Sequence, residues 1–277
     1  MTDREIQIRQ QAYALTLCTI VFMIVYNLCT LYASNLSSVP SFIFDFERSI
    51  PFIPWTIIPY MAGGLFFCLV FFCCKSKEQL KTLTLRMLFV ICIAGFCFVT
   101  VPLRFSFAKQ EVPNALLNLP FSFLTQFDSP FNQSPSLHIV FAFVFWSVLK
   151  EVDKWRLFFM ISLILVGIST LTTYQHHLVD ILTGTVLAHL SFIVFPVRKN
   201  DSKYINSRIA NYYFLAGWIF ILGTMLLYSY SGFEAMIFFF PAMITFGVGF
   251  YYKKNNSNPL SVLLLTLRQN RRPSTKD

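Results

Sequence analysis

The sequence predicts an all-α protein, a polytopic membrane helix bundle of about eight transmembrane helices. Three observations carry this reading. Of its 277 residues, 56% are hydrophobic and only 13% are charged, whereas a soluble domain keeps about a quarter of its residues charged to form a hydrated shell. Uncharged stretches of about 20 residues, long enough to cross the hydrocarbon core, recur along the chain. Once these stretches alternate across a bilayer, all but Arg48, Arg104 and Lys109 of the 22 Lys and Arg fall on one side. The net charge of +9 is therefore topology, with the basic side cytoplasmic, and no nucleic-acid partner is expected.

The first span covers about residues 12–33 and the second about 55–74, with Asp45, Glu47, Arg48, Pro51 and Pro54 in the loop between them. The third covers about 83–101. After the loop 102–135 come three closely spaced spans at about 136–150, 157–175 and 178–196. The last pair, 212–230 and 233–252, is separated by Ser231 and Gly232; it also reads as one re-entrant unit, but two spans are preferred. An even number of spans puts both termini in the cytoplasm, in a plasma or bacterial inner membrane. The first run is too long for a signal-peptide core and lacks a small-residue cleavage pattern, so it is expected to stay uncleaved. All seven Cys (Cys18, Cys29, Cys68, Cys73, Cys74, Cys92 and Cys97) fall inside the expected spans, where free Cys acts as a small packing residue. The segment 253–277 reads as a basic cytoplasmic tail, with 260–267 apolar enough to lie on the inner leaflet.

Ionisable residues at membrane depth are costly and mark function. Here they collect at the outer ends of the spans. Arg104 follows the third span, His138 opens the fourth in Pro135-Ser136-Leu137-His138, and His176, His177 and Asp180 lie at the turn into the sixth. The four-residue separation of His176 and Asp180 puts them on one helical face if the sixth span starts by His176, so that the carboxylate orients the imidazole as a base or nucleophile. His177 would point about 100° away, with no acid at that spacing. Ser136 suits an N-cap, and a helix N-terminus there would favour a phosphate, to whose leaving oxygen His138 can give a proton. Arg104 has the planar fork that clamps phosphate. Each residue also has a plain structural reading: a capping Ser, interfacial His, a snorkelling Arg. Their joint occurrence favours chemistry.

In order and spacing these residues resemble the type 2 phosphatidic acid phosphatase superfamily of integral membrane lipid phosphatases and phosphotransferases. Its three motifs are Lys, six residues and Arg-Pro; Pro-Ser-Gly-His; and Ser-Arg, five residues, His, three residues and Asp. Here they read as Cys97 to Arg104-Phe105, Pro135-Ser136-Leu137-His138, and Ser169-Thr170 to His176 and Asp180. The resemblance covers roughly residues 97–190 and implies a six-helix core within residues 1–211, with 212–252 as an additional helix pair. It also implies that His176 is the phosphate-attacking nucleophile, Asp180 its orienting partner, His138 the acid toward the leaving group, and Arg104 and Ser136 phosphate ligands. Cys97 and Thr170 stand where Lys and Arg are usual, and Leu137 and Phe105 where Gly and Pro are usual. That reduced pattern resembles the inositol-phosphorylceramide-synthase and sphingomyelin-synthase branch and its bacterial relatives.

The reaction so implied forms a phosphohistidine that water resolves in a phosphatase and a lipid or polyol hydroxyl resolves in a phosphotransferase. The expected partner is a lipid phosphate (a phospholipid or isoprenoid phosphate) among membrane lipids, acted on at the extracytoplasmic face. No cofactor is expected, and no metal, because no carboxylate or Cys completes a zinc-ligand spacing with the three histidines. Two rival readings are a polytopic lipid transporter or binding protein, against which no internal repeat is found, and a family member that has lost catalysis with its missing cations.

Overall fold

The computed structural model describes residues 3–108, 110–197 and 202–254. Among the described residues there are nine α-helices: α1 (Asp3–Ser34), α2 (Ile57–Phe72), α3 (Lys77–Thr100), α4 (Ala115–Phe127), α5 (Leu137–Leu149), α6 (Arg156–Thr172), α7 (Leu178–Val194), α8 (Ser202–Ser231) and α9 (Phe239–Lys254). Their only β pairing is an isolated bridge between Leu103 and Asn132. Lys109 and the tail beyond residue 254, with its apolar stretch 260–267, lie outside the described residues. The chain forms two compact units, Met1–Ser191 and Phe192–Asp277.

All eight expected spans coincide with helices, and six are long and apolar enough to cross a membrane: Gln7–Ser34, Pro54–Phe72, Lys77–Thr100, Asp153–Thr172, Asn206–Ser231 and Ala235–Lys254. The other two are shorter than a span. At 1.5 Å per residue, the 13 residues of α5 and the 17 of α7 reach about 20 and 26 Å, against a core of about 30 Å. The last pair is two helices, α8 and α9, joined by a 3-10 segment at Gly232–Phe238. Large apolar side chains such as Leu31, Ile58, Leu65, Phe96 and Leu157 stay exposed along these helices, a surface suited to lipid and not to water.

The helix α4 departs from the expected loop 102–135. Asn114 caps it by accepting from the amides of Leu116 and Leu117, and the helix continues through Pro120. Its inner face, Leu117, Phe121 and Leu124, packs on Ile57, Tyr60 and Met61 of α2; Leu116 on the other face is 83% exposed.

In the first unit, α3 approaches α1 so closely that a Cβ on Gly95 would lie 2.4 Å from Val25. Polar contacts tie the basic end together: Gln7 and Gln11 donate to Cys74 O, Gln79 Nε2 donates to Glu151 Oε2 at 3.1 Å, Lys75 donates to Glu151 O, and Arg86 donates to Ser147 Oγ at 3.1 Å. The opposite end gathers the N-termini of α2, α5 and α7 and the C-termini of α3 and α6. There the loop 44–56 is pinned to the α6–α7 turn: Ile53 N donates to Thr172 O at 2.8 Å, and the Thr56 and Thr172 hydroxyls meet at 2.8 Å. In the second unit, α8 and α9 pack through aromatic rings, Trp218 on Phe246 at 5.2 Å and Tyr213 stacked on Tyr252 at 5.9 Å.

Candidate active site

The third motif is a tight turn before it is a helix. Thr170 O accepts from the amides of both Gln175 and His176 at 3.1 and 3.0 Å. Tyr174 is held at φ 55°, a left-handed conformation that costs a bulky residue energy. Its hydroxyl donates to Ile50 O at 2.9 Å, and its ring packs on Phe52 and Phe107. Because α7 starts only at Leu178, His176 lies outside the helix and shares no helical face with Asp180. The expected i,i+4 geometry is corrected in kind, yet the two residues still meet: His176 Nδ1 lies 3.4 Å from Asp180 Oδ2. The pair is not aligned as a hydrogen bond, and among the described residues this buried nitrogen has no other partner. The same Asp180 oxygen accepts from His177 N at 2.8 Å, an acid in the first helical turn reaching back to an amide before it.

The second motif is clamped to the third. Ser136 N donates to Asp180 O at 3.0 Å, and a Cβ on Gly184 would stand 2.8 Å from Ser136 O, so only glycine lets α7 approach the start of α5 this closely. Ser136 occupies the N-cap position of α5 but its hydroxyl makes no cap bond; fully buried, it has no partner among the described residues. One residue into the helix from Leu137, His138 packs its ring on Tyr60 at 4.3 Å and meets the His176 ring at 5.8 Å, steeply inclined. Gly63 on α2 makes room for it, since a Cβ there would touch His138 Cδ2 at 3.4 Å.

Both imidazoles line a cavity of about 520 Å³. Its walls are mostly apolar, with Phe22, Phe67, Phe141, Phe145, Leu163 and Val166 among them, and its polar end holds Tyr26, Tyr60, Asp128, Asn132, His138 and His176. Thr19, Met23 and Asn27 of α1 and Gly64 and Cys68 of α2 also line it and are exposed on the molecular surface, so the cavity opens sideways between α1 and α2. Cavities of this size and lining suit a lipid or similar small molecule.

Other predicted residues stand elsewhere. Arg104 is exposed and does not line the cavity; its amide donates to Pro40 O at 2.9 Å, and Phe105 N donates to Pro130 O at 2.9 Å, so the end of the first motif braces the loop before the second. Thr170 is buried, with its hydroxyl donated to Gly167 O at 2.7 Å. His177 has no acid at helical spacing but meets one from a distant segment: its Nδ1 lies 3.2 Å from Glu47 Oε2. Ser106 N donates to His177 Nε2 at 3.2 Å, and the Ser106 hydroxyl lies 3.0 Å from the same nitrogen. Accepting that amide fixes the tautomer, with the proton on Nδ1 facing Glu47. Glu47 also accepts from Leu178 N and Phe44 N, each at 2.9 Å, so its buried charge sits on the N-terminus of α7. Phe105 stacks on the His177 ring at 4.4 Å. Among the described residues no cluster of His, Cys, Asp and Glu is arranged to hold a metal ion.

Sequence reasoning missed Glu47, Ser106, Tyr26, Tyr60 and Asp128. Glu47 and Asp128 carried the one available signal, as acids in outer loops of a chain with 13 in all.

Fold and site thus define a polytopic helical membrane protein with a lipid-sized cavity ending on two histidines, one backed by a carboxylate. A family model of the PAP2 superfamily matches residues 57–194, from the first residue of α2 to the last of α7, and the segment is similar to that superfamily. That placement suggests a phosphatase-like function. Over 159 residues the chain is 29% identical to an uncharacterized protein of Methanocaldococcus jannaschii; the aligned stretch is 57% of this chain and 63% of that protein, less than two thirds of the relative's length. No solved structure matches the chain.

Proposed function

We propose that this chain is a lipid phosphatase or phosphotransferase, acting on a phospholipid or isoprenoid phosphate through a phosphohistidine on His176. The observation that supports it most is the convergence of His138 and His176 at the polar end of the cavity, with Asp180 behind one of them. Asp180 stands beside Nδ1 of His176, which leaves Nε2 to attack phosphorus. As that bond forms, the P–O bond to the lipid alcohol breaks and His138 gives its proton to the departing oxygen. A hydroxyl then attacks phosphorus from the other side, the P–N bond breaks, and His138 recovers a proton from the acceptor. The buried hydroxyl of Ser136 and the amides at the start of α5 are the nearest donors for phosphate oxygens. Arg104 would have to swing inward to take part.

The charge asymmetry along the chain supports an active site on the extracytoplasmic face, with both termini cytoplasmic. The Pro-Ser-Leu-His form of the second motif supports the inositol-phosphorylceramide-synthase and sphingomyelin-synthase side of the superfamily. A second reading, a member without catalysis, is favoured by one observation: Arg104 lies outside the cavity, and the other usual cations are replaced by Cys97 and Thr170. Purified protein given a panel of phospholipids and isoprenoid phosphates, with phosphate release and transfer to added lipid alcohols both scored, separates the readings. An acid-labile phosphoenzyme that disappears in His176→Ala is the expected result, and turnover unaffected by that substitution excludes the phosphohistidine route.

A further inference from the structure

The polar end of the cavity carries a second set of groups that the phosphoryl steps do not use, and they are acceptors. Asp128 receives the Tyr26 hydroxyl on Oδ1, the Tyr60 hydroxyl on Oδ2 at 2.8 Å, and the Ser129 amide on Oδ1 at 3.0 Å. Donors on both oxygens mark an ionised carboxylate. Among the described residues no Lys or Arg pairs with it. Asn132, 3% exposed, commits its amide nitrogen to Tyr26 O at 3.0 Å and Thr30 Oγ1 at 2.9 Å, which fixes the orientation of the amide. Its Oδ1 is left buried and without a partner. Both residues line the same cavity as His138 and His176. A carboxylate with no Lys or Arg beside it, which the His138 ring can neutralise only while it holds its proton, and a carbonyl lacking a donor, both in apolar surroundings, are each costly. One ligand group that is cationic and rich in N–H donors relieves both.

We propose that the cavity binds a phospholipid whose headgroup ends in a primary ammonium, placed between Asp128 and Asn132 while the phosphodiester phosphorus faces His176. This rests on the phosphoryl-transfer reading above. A quaternary ammonium brings the charge without donors to satisfy Asn132, and a polyol brings donors without the charge. A phosphate monoester brings a second negative charge towards Asp128, with Arg104 outside the cavity. The aromatic rings of Tyr26, Tyr60 and Phe22 add a surface that favours a cation. In the first step the P–O bond to diacylglycerol breaks, the P–N bond to His176 forms, and the His138 proton leaves on diacylglycerol. The phospho-ammonium headgroup stays on the histidine.

Diacylglycerol release identifies the headgroup, measured in mixed micelles with phosphatidylethanolamine, phosphatidylcholine, phosphatidylinositol and phosphatidic acid of one acyl composition. Wild-type kcat/KM is expected to favour phosphatidylethanolamine by about 30-fold or more, the scale of a desolvated charge pair. Asp128→Asn, which keeps the shape and one acceptor while its amide nitrogen donates to the tyrosine hydroxyl on the other side, is expected to erase most of that margin by lowering phosphatidylethanolamine turnover alone. A wild-type preference for any of the other three lipids, or an equal loss on all four in Asp128→Asn, overturns the ammonium site while phosphoryl transfer stands. If none of the four is turned over, it is the phosphoryl-transfer reading that fails for these lipids, and wild-type binding then decides the headgroup. A larger rise in Tm with dioctanoyl phosphatidylethanolamine than with dioctanoyl phosphatidylcholine supports the site, and an equal or smaller rise overturns it.

Discussion

His176 and His177 are neighbours in the chain, and both are almost fully buried, yet their rings live in different surroundings. The His177 ring has a partner on each nitrogen, Glu47 on one side and Ser106 on the other, and Phe105 lies flat against it. The His176 ring lines the cavity, with one nitrogen near Asp180 but unaligned. A side chain whose polar atoms are all satisfied adds stability and little reactivity. One held in place with an atom unspent is poised for chemistry. The backbone links the two, because the Asp180 oxygen nearest His176 also receives the His177 amide.

The sharpest way to break this contrast is to remove each ring in turn. His176→Ala is expected to abolish turnover, a loss of about 1,000,000-fold, with Tm close to wild type. His177→Ala should do the reverse. It removes one donor from the buried Glu47 carboxylate, which keeps the Leu178 and Phe44 amides, at a cost of about 1–3 kcal/mol in stability, and activity per folded molecule should fall far less than in His176→Ala. Thermal unfolding in detergent beside specific activity distinguishes the two; a stable, inactive His177→Ala would mean that the roles are exchanged.

Next in size is Asp180→Asn, expected to lower kcat by about 10,000-fold while keeping the cap on the His177 amide, since the amide oxygen still accepts but no longer stabilises an imidazolium. A loss confined to Tm, with kcat per folded molecule unchanged, would reduce Asp180 to a helix cap. His138→Ala sharpens the contrast from the other side of phosphorus. It should slow turnover of a natural lipid by about 100- to 10,000-fold but harm an aryl phosphate far less, because an aryloxide leaves without the proton. Equal losses on both substrates would leave His138 as a packing residue. The smallest effect is expected for Ser106→Ala. The backbone amide still reaches His177 Nε2, so a stability loss of about 1 kcal/mol and near-normal turnover should be seen.

The spans, the order of the three motifs and the clustering of histidines at one end of the helices were legible in the sequence, because hydropathy and short spacing are local properties. The partners of those motifs were not. Glu47 reaches His177 across 130 positions, and Ser106 across 71; no periodicity connects them. Asp128 likewise meets Tyr26 and Tyr60 across 102 and 68 positions. Helical spacing, which counts only neighbours on one helix, correctly finds no acid four residues after His177 and for the same reason cannot see Glu47. His176 and Asp180 met by a different route from the one their spacing suggested, through a turn fixed by Tyr174 and the amides on Thr170 O. Residues 136–150 read as a span in the sequence, but the 13-residue helix found there is shorter than a span and has meaning only once its neighbours show which end it shares with the site.

The sideways opening between α1 and α2 has a kinetic consequence. A lipid that enters there slides in from its own leaflet without crossing water, so on the proposed function the protein samples a two-dimensional solution. Velocity should then follow the mole fraction of substrate in the bilayer and fall on dilution with inert lipid at constant bulk concentration. Widening or closing the gap at Gly64 and Cys68 would change that apparent surface affinity while the chemistry at His176 stays as it was.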